Sequence, residues 1–522
     1  MNNIVIPPKR KTKILLLQSL SETQNNFVPL GLAYIAAIFE KEGCEVRVID
    51  ASAPYGNYTV QSLLEEIKKF EPDLIGFSLT ITFVNYSYQL IKEISKISSA
   101  LIVAGGPHVT ILPKEVLEHG AKIAIRGEGE ETTSDLIKYL NGQIGLPEIL
   151  GISYIDDKNN IVDNPPRPQI ANLDLIPFPA KHLFKREDFI RSGADNIRYS
   201  NMITSRGCPG LCTYCANQYM WGRLVRYRSA GNILSEMKSL QERFGVKIFN
   251  FFDDSFTANR RRVYELCEDM IKELPGIRWH CITRVDFVDQ NLLKKMKEAG
   301  CQHVNYGVES GDPKTLARIK KMISLEQVEK ALVLTKKNGI TAGVNFIHGF
   351  PWDTKESMGR TRDFIRRIAP LTRDIMAGGI LTPYPSTEIY EEYKDKYNFR
   401  DWWLKTKVLD SKNLKLAPPF YQKIFFYYET LDYNFFKYDN EILEEIKKTA
   451  KLIGRHNLLY FAKQIIGWPF YYIVREILYV LVRVSQLLHK INPALERLLM
   501  RPFLMMAANE EADVRSQKED EN

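Results

Sequence analysis

Three cysteines lie close together in the segment RGCPGLCTYCANQ, where Cys208, Cys212 and Cys215 have the spacing C-x3-C-x2-C. Thiolates are soft ligands that suit iron–sulfur clusters, and a [4Fe–4S] cluster has four irons that need ligands. Three cysteines leave one iron without a protein ligand, which is typical of a catalytic cluster. A zinc site completed by a distant histidine is the alternative, although zinc sites usually pair two C-x2-C motifs. The triplet therefore favours a catalytic iron–sulfur cluster.

The other four cysteines are scattered through apolar strand and helix patterns, which favours buried small hydrophobic side chains over further ligands. They are Cys44, Cys267, Cys281 and Cys301. Seven cysteines of which three are crowded together do not suggest a disulfide framework in a chain of 522 residues. We therefore expect a reducing, cytoplasmic location.

Charge and the N-terminal segment narrow the function classes further. The formal net charge of +8 is only mildly basic for this length, and we expect no nucleic-acid partner. The first residues, MNNIVIPPKRKTKILLL, are interpreted as basic residues that precede a strand, because their apolar run is short for a signal peptide.

Strand and helix patterns alternate in two regions, which predicts an α/β fold. In residues 1–145 the alternation indicates a doubly wound, Rossmann-like domain. In residues 198–395 six strand candidates indicate a partial (β/α)6 barrel, whose chemistry lies at the carboxyl ends of its strands. Residues 146–197, which contain PPRP and PFPA, are interpreted as an extended linker. Residues 396–522 are interpreted as an aromatic-rich and basic, amphipathic helical C-terminal region.

The cysteine spacing, with an aromatic residue before the last cysteine and an alternating barrel after it, resembles the radical-SAM superfamily. The resemblance covers about Asn201–Thr387, and Tyr214 occupies the aromatic position. It implies that the three cysteines bind a [4Fe–4S] cluster. The remaining iron would then chelate the amino and carboxylate groups of S-adenosylmethionine (SAM).

Further motifs at the later strand ends match this family and imply contacts with SAM. In FFDDSF, after the second strand, Asp253 and Asp254 are candidates for the SAM amino group. Arg284, at the end of the third strand, is the candidate for the SAM carboxylate. Both aspartates could instead cap the following helix, as carboxylates at such turns often do. Their position at predicted strand ends favours the site, because barrel chemistry lies at that rim.

The last three barrel strands end in motifs that the resemblance places along the rest of SAM. Glu309 and Ser310 in GVESG would face its ribose or methionine end. Gly349 in FIHGFP and Pro383 in LTPYPST would lie near the adenine. Glu309 could also be an ordinary loop charge, and Gly349 could simply permit a tight turn.

The first 145 residues are similar to the cobalamin-binding domain that precedes the barrel in one large radical-SAM subgroup. The matching segments include GFSLT, GGPHVT and RGEGE, each after a predicted strand. Small residues there would let a bulky, flat ligand approach the backbone. The residues implied in cobalamin binding are Ser78, Thr80, Gly105, Gly106, His108, Gly127 and Gly129.

One departure concerns the lower axial ligand of cobalt. The DxHxxG motif that supplies this histidine in other cobalamin proteins is absent, since the chain reads QSLSETQNN after its first strand. We therefore expect bound cobalamin to lack a lower histidine ligand, and His108 is interpreted as a turn histidine beside the ligand. A degenerate domain that binds no cobalamin is the alternative.

The C-terminal region carries an apolar stripe at helical spacing from Val474 to Ile491, opposite Arg475, Arg483 and Lys490. A membrane-spanning helix here would bury charges that cost about 2.5–3.5 kcal/mol each. The stripe predicts an amphipathic helix at the inner face of an anionic membrane, and packing on the barrel is the equally favoured alternative.

The resemblance implies a cobalamin-dependent radical-SAM enzyme that cleaves SAM reductively to a 5′-deoxyadenosyl radical. We expect it to methylate an unactivated carbon of a small, hydrophobic or lipid-like substrate, with electrons from a flavodoxin- or ferredoxin-type donor. Oxidative cyclisation, as in the anaerobic magnesium-protoporphyrin cyclase, or carbon coupling is the alternative. A cobalamin or iron–sulfur sensor is less favoured, because a sensor would not need SAM-contact motifs on five further strand ends.

Overall fold

The computed structural model describes residues 10–20, 27–53, 58–184, 198–405 and 435–466, together with Val484. For residues 377–379 and 458–466 it describes the backbone alone. The chain divides into two compact units. The first is drawn from Met1–Asp188, Tyr219–Trp221 and Asp401–Ala417, and the second from Phe189–Gln218, Gly222–Arg400 and Pro418–Asn522.

Strands and helices alternate through most of the described residues. The strands are β1 (Lys13–Gln18), β2 (Glu45–Asp50), β3 (Leu74–Ser78), β4 (Leu101–Gly105), β5 (Ile123–Ile125), β6 (Ile152–Ile155), β7 (Ile161–Asp163), β8 (Arg198–Met202), β9 (Ser205–Arg206), β10 (Arg226–Tyr227), β11 (Val246–Phe251), β12 (Arg278–Thr283), β13 (Cys301–Glu309), β14 (Thr341–His348) and β15 (Asp374–Ile380). The helices are α1 (Leu30–Lys41), α2 (Val60–Phe70), α3 (Val84–Ile94), α4 (Pro107–Ile111), α5 (Pro113–Glu118), α6 (Glu130–Leu140), α7 (Asn217–Trp221), α8 (Ala230–Phe244), α9 (Arg260–Glu273), α10 (Gln290–Glu298), α11 (Pro313–Arg318), α12 (Leu325–Lys337), α13 (Lys355–Ile368), α14 (Glu388–Tyr393) and α15 (Asn440–Ile466).

The first unit contains a sheet with the strand order β2-β1-β3-β4-β5-β6-β7, in which β1 to β5 are parallel. β1, with the sequence KILLLQ, is buried along almost its whole length, as expected for a parallel strand covered on both faces. The order of the strands reverses at β1, which lies between β2 and β3. Doubly wound sheets bind ligands at the carboxyl ends beside such a reversal. The predicted Rossmann-like sheet is confirmed.

The interpretation of residues 146–197 as an extended linker is wrong where β6 and β7 lie. β6 pairs antiparallel with β5, and β7 pairs antiparallel with β6, so both strands extend the first sheet. They contain only four and three residues. Strands this short do not show the two-residue hydrophobic period by which a strand is recognised in a sequence.

The second unit contains a six-stranded parallel sheet in the order β8-β11-β12-β13-β14-β15, which confirms the predicted partial barrel. Alternate side chains of its strands, among them Phe249, Trp279 and Tyr306, are fully buried against the surrounding helices. These helices are α8, α9, α10, α12 and α13. Because successive side chains of a strand point to opposite faces, the intervening residues lie on the inner face of the sheet.

Helix α15 packs on the exposed edge of this sheet. The side-chain amide of Asn457 accepts a hydrogen bond from the backbone N–H of Ile375 (2.9 Å) and donates one to its carbonyl oxygen (2.8 Å). Arg362 of α13 forms an ion pair with Glu445, which is almost fully buried. The Asn457 amide takes the place of a neighbouring strand at this position, so α15 covers an edge that would otherwise be open to pairing.

Most of the predicted amphipathic stripe from Val474 to Ile491 lies outside the described residues; Val484 alone is described, and it is exposed. Within the described part of the chain, no helix combines the length and the apolar composition needed to cross a bilayer.

Candidate active site

The three cysteines lie in the loop between β9 and α7, and all three are partly exposed free thiols. A side chain on Gly210 would place its Cβ 3.3 Å from the sulfur of Cys208 and 3.8 Å from the sulfur of Cys212. Cys215 follows closely, since its N–H donates to the carbonyl oxygen of Cys212 (3.2 Å). The absence of a side chain on Gly210 therefore leaves a space that two of the three sulfurs border.

This loop is fixed to the rest of the second unit by its backbone. The N–H of Thr213 donates to the carbonyl oxygen of Ile319 (3.1 Å), and the N–H of Ile389 donates to the carbonyl oxygen of Thr213 (3.2 Å). These bonds hold the middle of the loop between the end of α11 and the start of α14. Tyr214 is partly buried, and its hydroxyl is hydrogen-bonded to Cys212; burial raises the pKa of this phenol far above its usual value.

The two aspartates after β11 have different environments. Asp253 is buried, and one of its oxygens accepts hydrogen bonds from the Thr204 N–H (3.1 Å), the Thr204 hydroxyl (2.8 Å) and the Ser205 hydroxyl. Asp254 is exposed, but partial burial of its carboxyl still raises its pKa to about 6. Asp253 therefore anchors the start of the cysteine loop, and Asp254 is the carboxylate that a ligand could reach.

A buried ion pair lies beside the cysteine loop. The ammonium nitrogen of Lys321 is 2.8 Å from Oε1 of Glu309. Arg284 donates two hydrogen bonds to Asp286 (2.9 and 3.0 Å) and one to the carbonyl oxygen of Lys321 (3.0 Å). Burial raises the pKa of the Cys212 thiol, whereas the charges of Lys321 and Arg284 act to lower it. The two cations therefore favour negative charge on the sulfurs.

The turn that carries Lys321 is strained. Lys320 and Met322 have φ values of 55° and 57°, in the left-handed region that non-glycine residues rarely adopt, and both are exposed. Lys321 between them points inward and is buried. Its partner Glu309 also has a positive φ, of 73°. Strain of this kind is concentrated at functional sites, where the surrounding structure holds it in place.

Lys321 is absent from the sequence-based prediction. In the segment RIKKM it is indistinguishable from Lys320, which pairs with Glu388 at the surface. No local signal separates the two lysines, because only the turn geometry directs one inward and the other outward.

Three other residues predicted to contact SAM, namely Ser310, Gly349 and Pro383, are buried or bonded to other residues of the protein. The Ser310 hydroxyl lies 3.3 Å from that of Thr361 and accepts from the N–H of Asp312 (3.1 Å). Gly349 has φ +75°, and its carbonyl oxygen accepts from the hydroxyl of Tyr438, which also fills the space where a Cβ would lie. Pro383 is buried. Their contact with SAM stays a prediction.

In the first unit, the predicted small residues lie at the carboxyl edge of the sheet. Ser78, the last residue of β3, and Thr80, two residues beyond it, are partly exposed. Gly106 has φ +105°, and a Cβ there would lie 2.8 Å from the carbonyl oxygen of Leu79. Neighbouring glycines share this edge: Gly105 ends β4, Gly127 has φ +73° with open space around it, and Gly129 contacts the side chain of Ile35.

Two further polar residues at this edge are absent from the sequence-based prediction. Gln18 and Ser19, at the end of β1, are buried, and Nε2 of Gln18 and Oγ of Ser19 have no hydrogen-bond partner among the described residues. They lie where the strand order reverses. The signal that points to them is their position directly after the first strand, in QSLS.

His108 occupies a buried cluster. Its Nε2 is 2.8 Å from Oε1 of Glu115, and the same carboxylate accepts hydrogen bonds from the Tyr88 hydroxyl (2.8 Å) and from Nε1 of Trp403 (3.0 Å). Burial raises the pKa of Glu115, but its hydrogen bonds with His108, Tyr88 and Trp403 leave it below the usual value. Because the His108 side chain is fully buried, its imidazole is closed to a ligand at this edge.

Comparison with known proteins gives two family matches in this chain. The B12 binding domain matches residues 20–137, and the radical SAM superfamily matches residues 202–365. An uncharacterized methyltransferase of Pyrococcus horikoshii is 34% identical over 366 residues, which are 70% of this chain and 78% of the relative. This chain belongs to the radical-SAM enzymes that carry a B12-binding domain. The cofactors of this cobalamin-dependent radical-SAM family are a [4Fe–4S] cluster, SAM and cobalamin.

Other relatives of this cobalamin-dependent radical-SAM enzyme differ in the reactions that their names state. The anaerobic magnesium-protoporphyrin IX monomethyl ester cyclase of Rubrivivax gelatinosus is 29% identical, over 76% of this chain and 73% of the relative. The cytidylyl-2-hydroxyethylphosphonate methyltransferase of Streptomyces wedmorensis is 29% identical, over 66% of this chain and 74% of the relative. The solved structure of OxsB, a cobalamin-dependent SAM radical enzyme, with aqua-cobalamin and SAM bound shares the fold. Its TM-score is 0.63, at 18% identity over 96% of this chain and 76% of that chain.

Proposed function

We propose that this enzyme methylates an unactivated carbon of a small organic substrate, and that Cys208, Cys212 and Cys215 hold its iron–sulfur cluster. The observation that carries the proposal is the space beside Gly210, bordered by two of the sulfurs and lying close to two buried cations. A cluster bound by three thiolates is anionic when it is reduced, and Lys321 and Arg284 offset that charge. When bound, the cluster and SAM supply a 5′-deoxyadenosyl radical.

We assign the binding of SAM to three groups around the cysteine loop. Asp254 is the exposed carboxylate that can accept hydrogen bonds from the SAM ammonium group. Arg284 is fixed in orientation by Asp286 and can donate to the SAM carboxylate. Glu309 is held by Lys321, which leaves its second oxygen for a ribose hydroxyl.

Cobalamin would lie on the carboxyl edge of the first sheet. Gly106 and Gly127 present backbone without side chains there, and Ser78 and Thr80 present hydroxyls. The buried atoms without partners on Gln18 and Ser19 are further groups that this ligand could satisfy. Since the His108 imidazole is enclosed, the residues at this edge fit cobalamin without a lower histidine ligand.

Methyl transfer is favoured by the two methyltransferase relatives, and cyclisation is favoured by the magnesium-protoporphyrin cyclase relative. The hydrophobic or lipid-like substrate and the membrane contact depend on the C-terminal segment, most of which lies outside the described residues. They stay predictions, as does the flavodoxin- or ferredoxin-type electron donor.

The test is anaerobic turnover of the reconstituted enzyme with SAM, cobalamin and reduced flavodoxin. Formation of both 5′-deoxyadenosine and S-adenosylhomocysteine is expected, because methylation of reduced cobalamin by SAM releases S-adenosylhomocysteine even without substrate. Cys208→Ala, Cys212→Ala and Cys215→Ala should each lose cluster iron and 5′-deoxyadenosine. Cys44→Ala is the matched control and should retain both. 5′-Deoxyadenosine without S-adenosylhomocysteine would favour cyclisation, and near-normal iron in any of the three variants would contradict the ligand assignment.

A further inference from the structure

Three asparagines lie on the inner face of the six-stranded sheet, one on each of β11, β13 and β14. They are Asn250, Asn305 and Asn345. The chain neighbours of each, such as Val304 and Tyr306 around Asn305, belong to the core between the sheet and its helices. The asparagines therefore point to the opposite, inner face.

The amide groups of these residues have unused hydrogen-bonding capacity. Asn250 and Asn305 are 7% and 8% exposed. Oδ1 of Asn250 is 3.0 Å from Nδ1 of His280, and its Nδ2 has no partner among the described residues. Oδ1 of Asn305 and Oδ1 of Asn345 are likewise buried without a described partner. Buried amides without partners destabilise a fold, so three on one face indicate groups that a ligand satisfies.

From Asn250 through Asn305 to Asn345, the three amides lie progressively nearer to the carboxyl ends of the strands, where the cysteine loop begins. Asn250 is in register with His280, Asn305 is in register with Gly343, and Asn345 is in register with Gly307. Asn250 is level with His303 of β13, and Asn305 lies two residues further along that strand. Asn305 is level with Gly343 of β14, and Asn345 lies two residues further along. Each step therefore moves towards the carboxyl ends of the strands. Gly307, which is in register with Asn345, lies beside the Glu309–Lys321 pair, because a Cβ on Gly307 would lie 2.6 Å from Oε1 of Glu309.

Polar groups continue at the lower end of the same face. Nδ1 of His303 is 2.9 Å from the Thr341 hydroxyl, and its Nε2 is 3.7 Å from Oδ1 of Asp374. A Cβ on Gly343 would lie only 2.9 Å from that Nε2. Polar side chains therefore occur on the inner face from His303 up to Asn345, beside Ile248 and Ile282, which the same alternation places on this face.

We propose that the substrate binds on this inner face and is a small polar molecule with both hydrogen-bond donors and acceptors, in place of the hydrophobic or lipid-like substrate predicted from the sequence. This proposal rests on the proposed radical-SAM function. The side-chain oxygens of Asn305 and Asn345 can accept hydrogen bonds from donors on the substrate, and Nδ2 of Asn250 can donate to an acceptor on it. An alkyl chain or a polycyclic lipid offers these three amides no hydrogen-bond partner. A site built to bond polar groups discriminates strongly against analogues that lack them.

The experiment uses full-length holoenzyme under anaerobic conditions with unlabelled SAM. The substrate source is an extract of the native host grown in deuterated medium and separated into a water–methanol fraction and a chloroform-soluble lipid fraction. Abstraction breaks a C–D bond of the substrate and forms one C5′–D bond, so the product is 5′-deoxyadenosine with a single deuterium. Mass spectrometry separates this product from the multiply labelled one that arises from extracted SAM.

Singly labelled 5′-deoxyadenosine is expected from the water–methanol fraction. Asn305→Leu and Asn345→Leu should reduce the fraction of 5′-deoxyadenosine that carries a single deuterium at least ten-fold. Asn291→Leu, on the exposed side of α10, is the matched control and should behave as the parent. Single labelling from the lipid fraction, or from neither fraction while 5′-deoxyadenosine still forms, would overturn the proposal. Absence of all 5′-deoxyadenosine from the parent enzyme would instead contradict the proposed function.

Thermal unfolding provides a readout that needs no substrate. Leucine has the same number and branching of heavy atoms as asparagine and carries no unpaired amide, so Asn305→Leu and Asn345→Leu should melt no lower than the parent. A lower melting temperature in both variants would show that the amides bond within the protein. That result would also overturn the assignment of this face to a polar substrate.

Discussion

The ammonium nitrogen of Lys321 and the carboxylate of Glu309 meet directly above the backbone of Gly307. The two groups are 2.8 Å apart, and a Cβ on Gly307 would lie 2.9 Å from the first and 2.6 Å from the second. The first glycine of GVESG therefore makes room for an ion pair that joins the end of β13 to the turn before α12. This arrangement places a buried positive charge beside Cys212.

We predict that Lys321→Met makes the cluster harder to reduce. Removal of a nearby cation leaves the negative charge of the reduced cluster less compensated, so its reduction potential should become more negative. Loss of the partner of buried Glu309 should also lower stability by about 3–5 kcal/mol. The measurements are a redox titration followed by electron paramagnetic resonance and a denaturant titration.

The adjacent Lys320→Met is the matched control for this variant. Lys320 pairs with Glu388 at the surface, where such a pair contributes at most about 1 kcal/mol. The double variant Lys321→Met/Glu309→Gln should regain stability, and its potential should return towards that of the parent because a negative charge is removed together with the positive one. An unchanged potential in Lys321→Met would show that this lysine has no electrostatic role at the cluster.

Gly106→Ala should weaken cobalamin binding. The new Cβ would lie 2.8 Å from the carbonyl oxygen of Leu79 in a backbone conformation with φ +105°, and such strain costs about 1–3 kcal/mol. A shift of the loop away from its ligand-binding position should raise the Kd roughly ten- to hundred-fold. Absorbance titration with cobalamin measures it. Gly31→Ala, where a Cβ has no neighbour within 4 Å, should leave the Kd unchanged.

Electron paramagnetic resonance of the bound cob(II)alamin tests the axial ligand in the same samples. The absence of nitrogen hyperfine structure from histidine is expected. A histidine signal would contradict the coordination inferred from the missing DxHxxG motif and the enclosed His108.

The stability of the second unit should depend on pH through Asp353. Burial raises the pKa of this carboxyl to about 6, although it accepts hydrogen bonds from the N–H groups of Gly349 and Phe350. Between about pH 4 and pH 6 the folded state binds more protons than the unfolded state. The contribution of Asp353 to the free energy of unfolding therefore falls as pH rises through this window, and it is constant above it.

Asp353→Asn should remove this dependence, because the amide does not titrate. Unfolding measured from pH 4 to pH 7 should show the parent losing on the order of 2–3 kcal/mol relative to the variant. A difference between the two proteins that is independent of pH would contradict the raised pKa.

Removal of residues 467–522 should leave cluster assembly intact and abolish sedimentation with anionic vesicles at low salt. The truncation retains α15 and the two hydrogen bonds between Asn457 and Ile375. The basic residues that it removes each contribute about 1 kcal/mol of attraction to an anionic surface. Full-length protein that stays in the supernatant would refute the membrane prediction.

Asn457→Leu is the complementary control for the truncation. It breaks both hydrogen bonds to β15 and should lower stability by about 1–3 kcal/mol, with sedimentation unchanged.

The sequence by itself determined the chemistry and the two-sheet architecture, because both depend on local patterns. The spacing of Cys208, Cys212 and Cys215 predicts three cluster ligands within eight residues. The alternation of apolar strands and amphipathic helices identifies both parallel sheets, since each strand or helix shows its own hydrophobic period. The sequence did not reveal β6 and β7, because strands of four and three residues are too short to show a hydrophobic period.

Only the tertiary structure decided which polar residues meet. Lys320 and Lys321 are neighbours of the same type, and the strained turn alone sends one to solvent and the other to Glu309. Asn250, Asn305 and Asn345 are separated by 40 residues or more, and the parallel register of β11 to β14 brings them to one face. Side-chain direction within a strand is visible in a sequence, but the pairing of distant strands depends on packing, which no local pattern records.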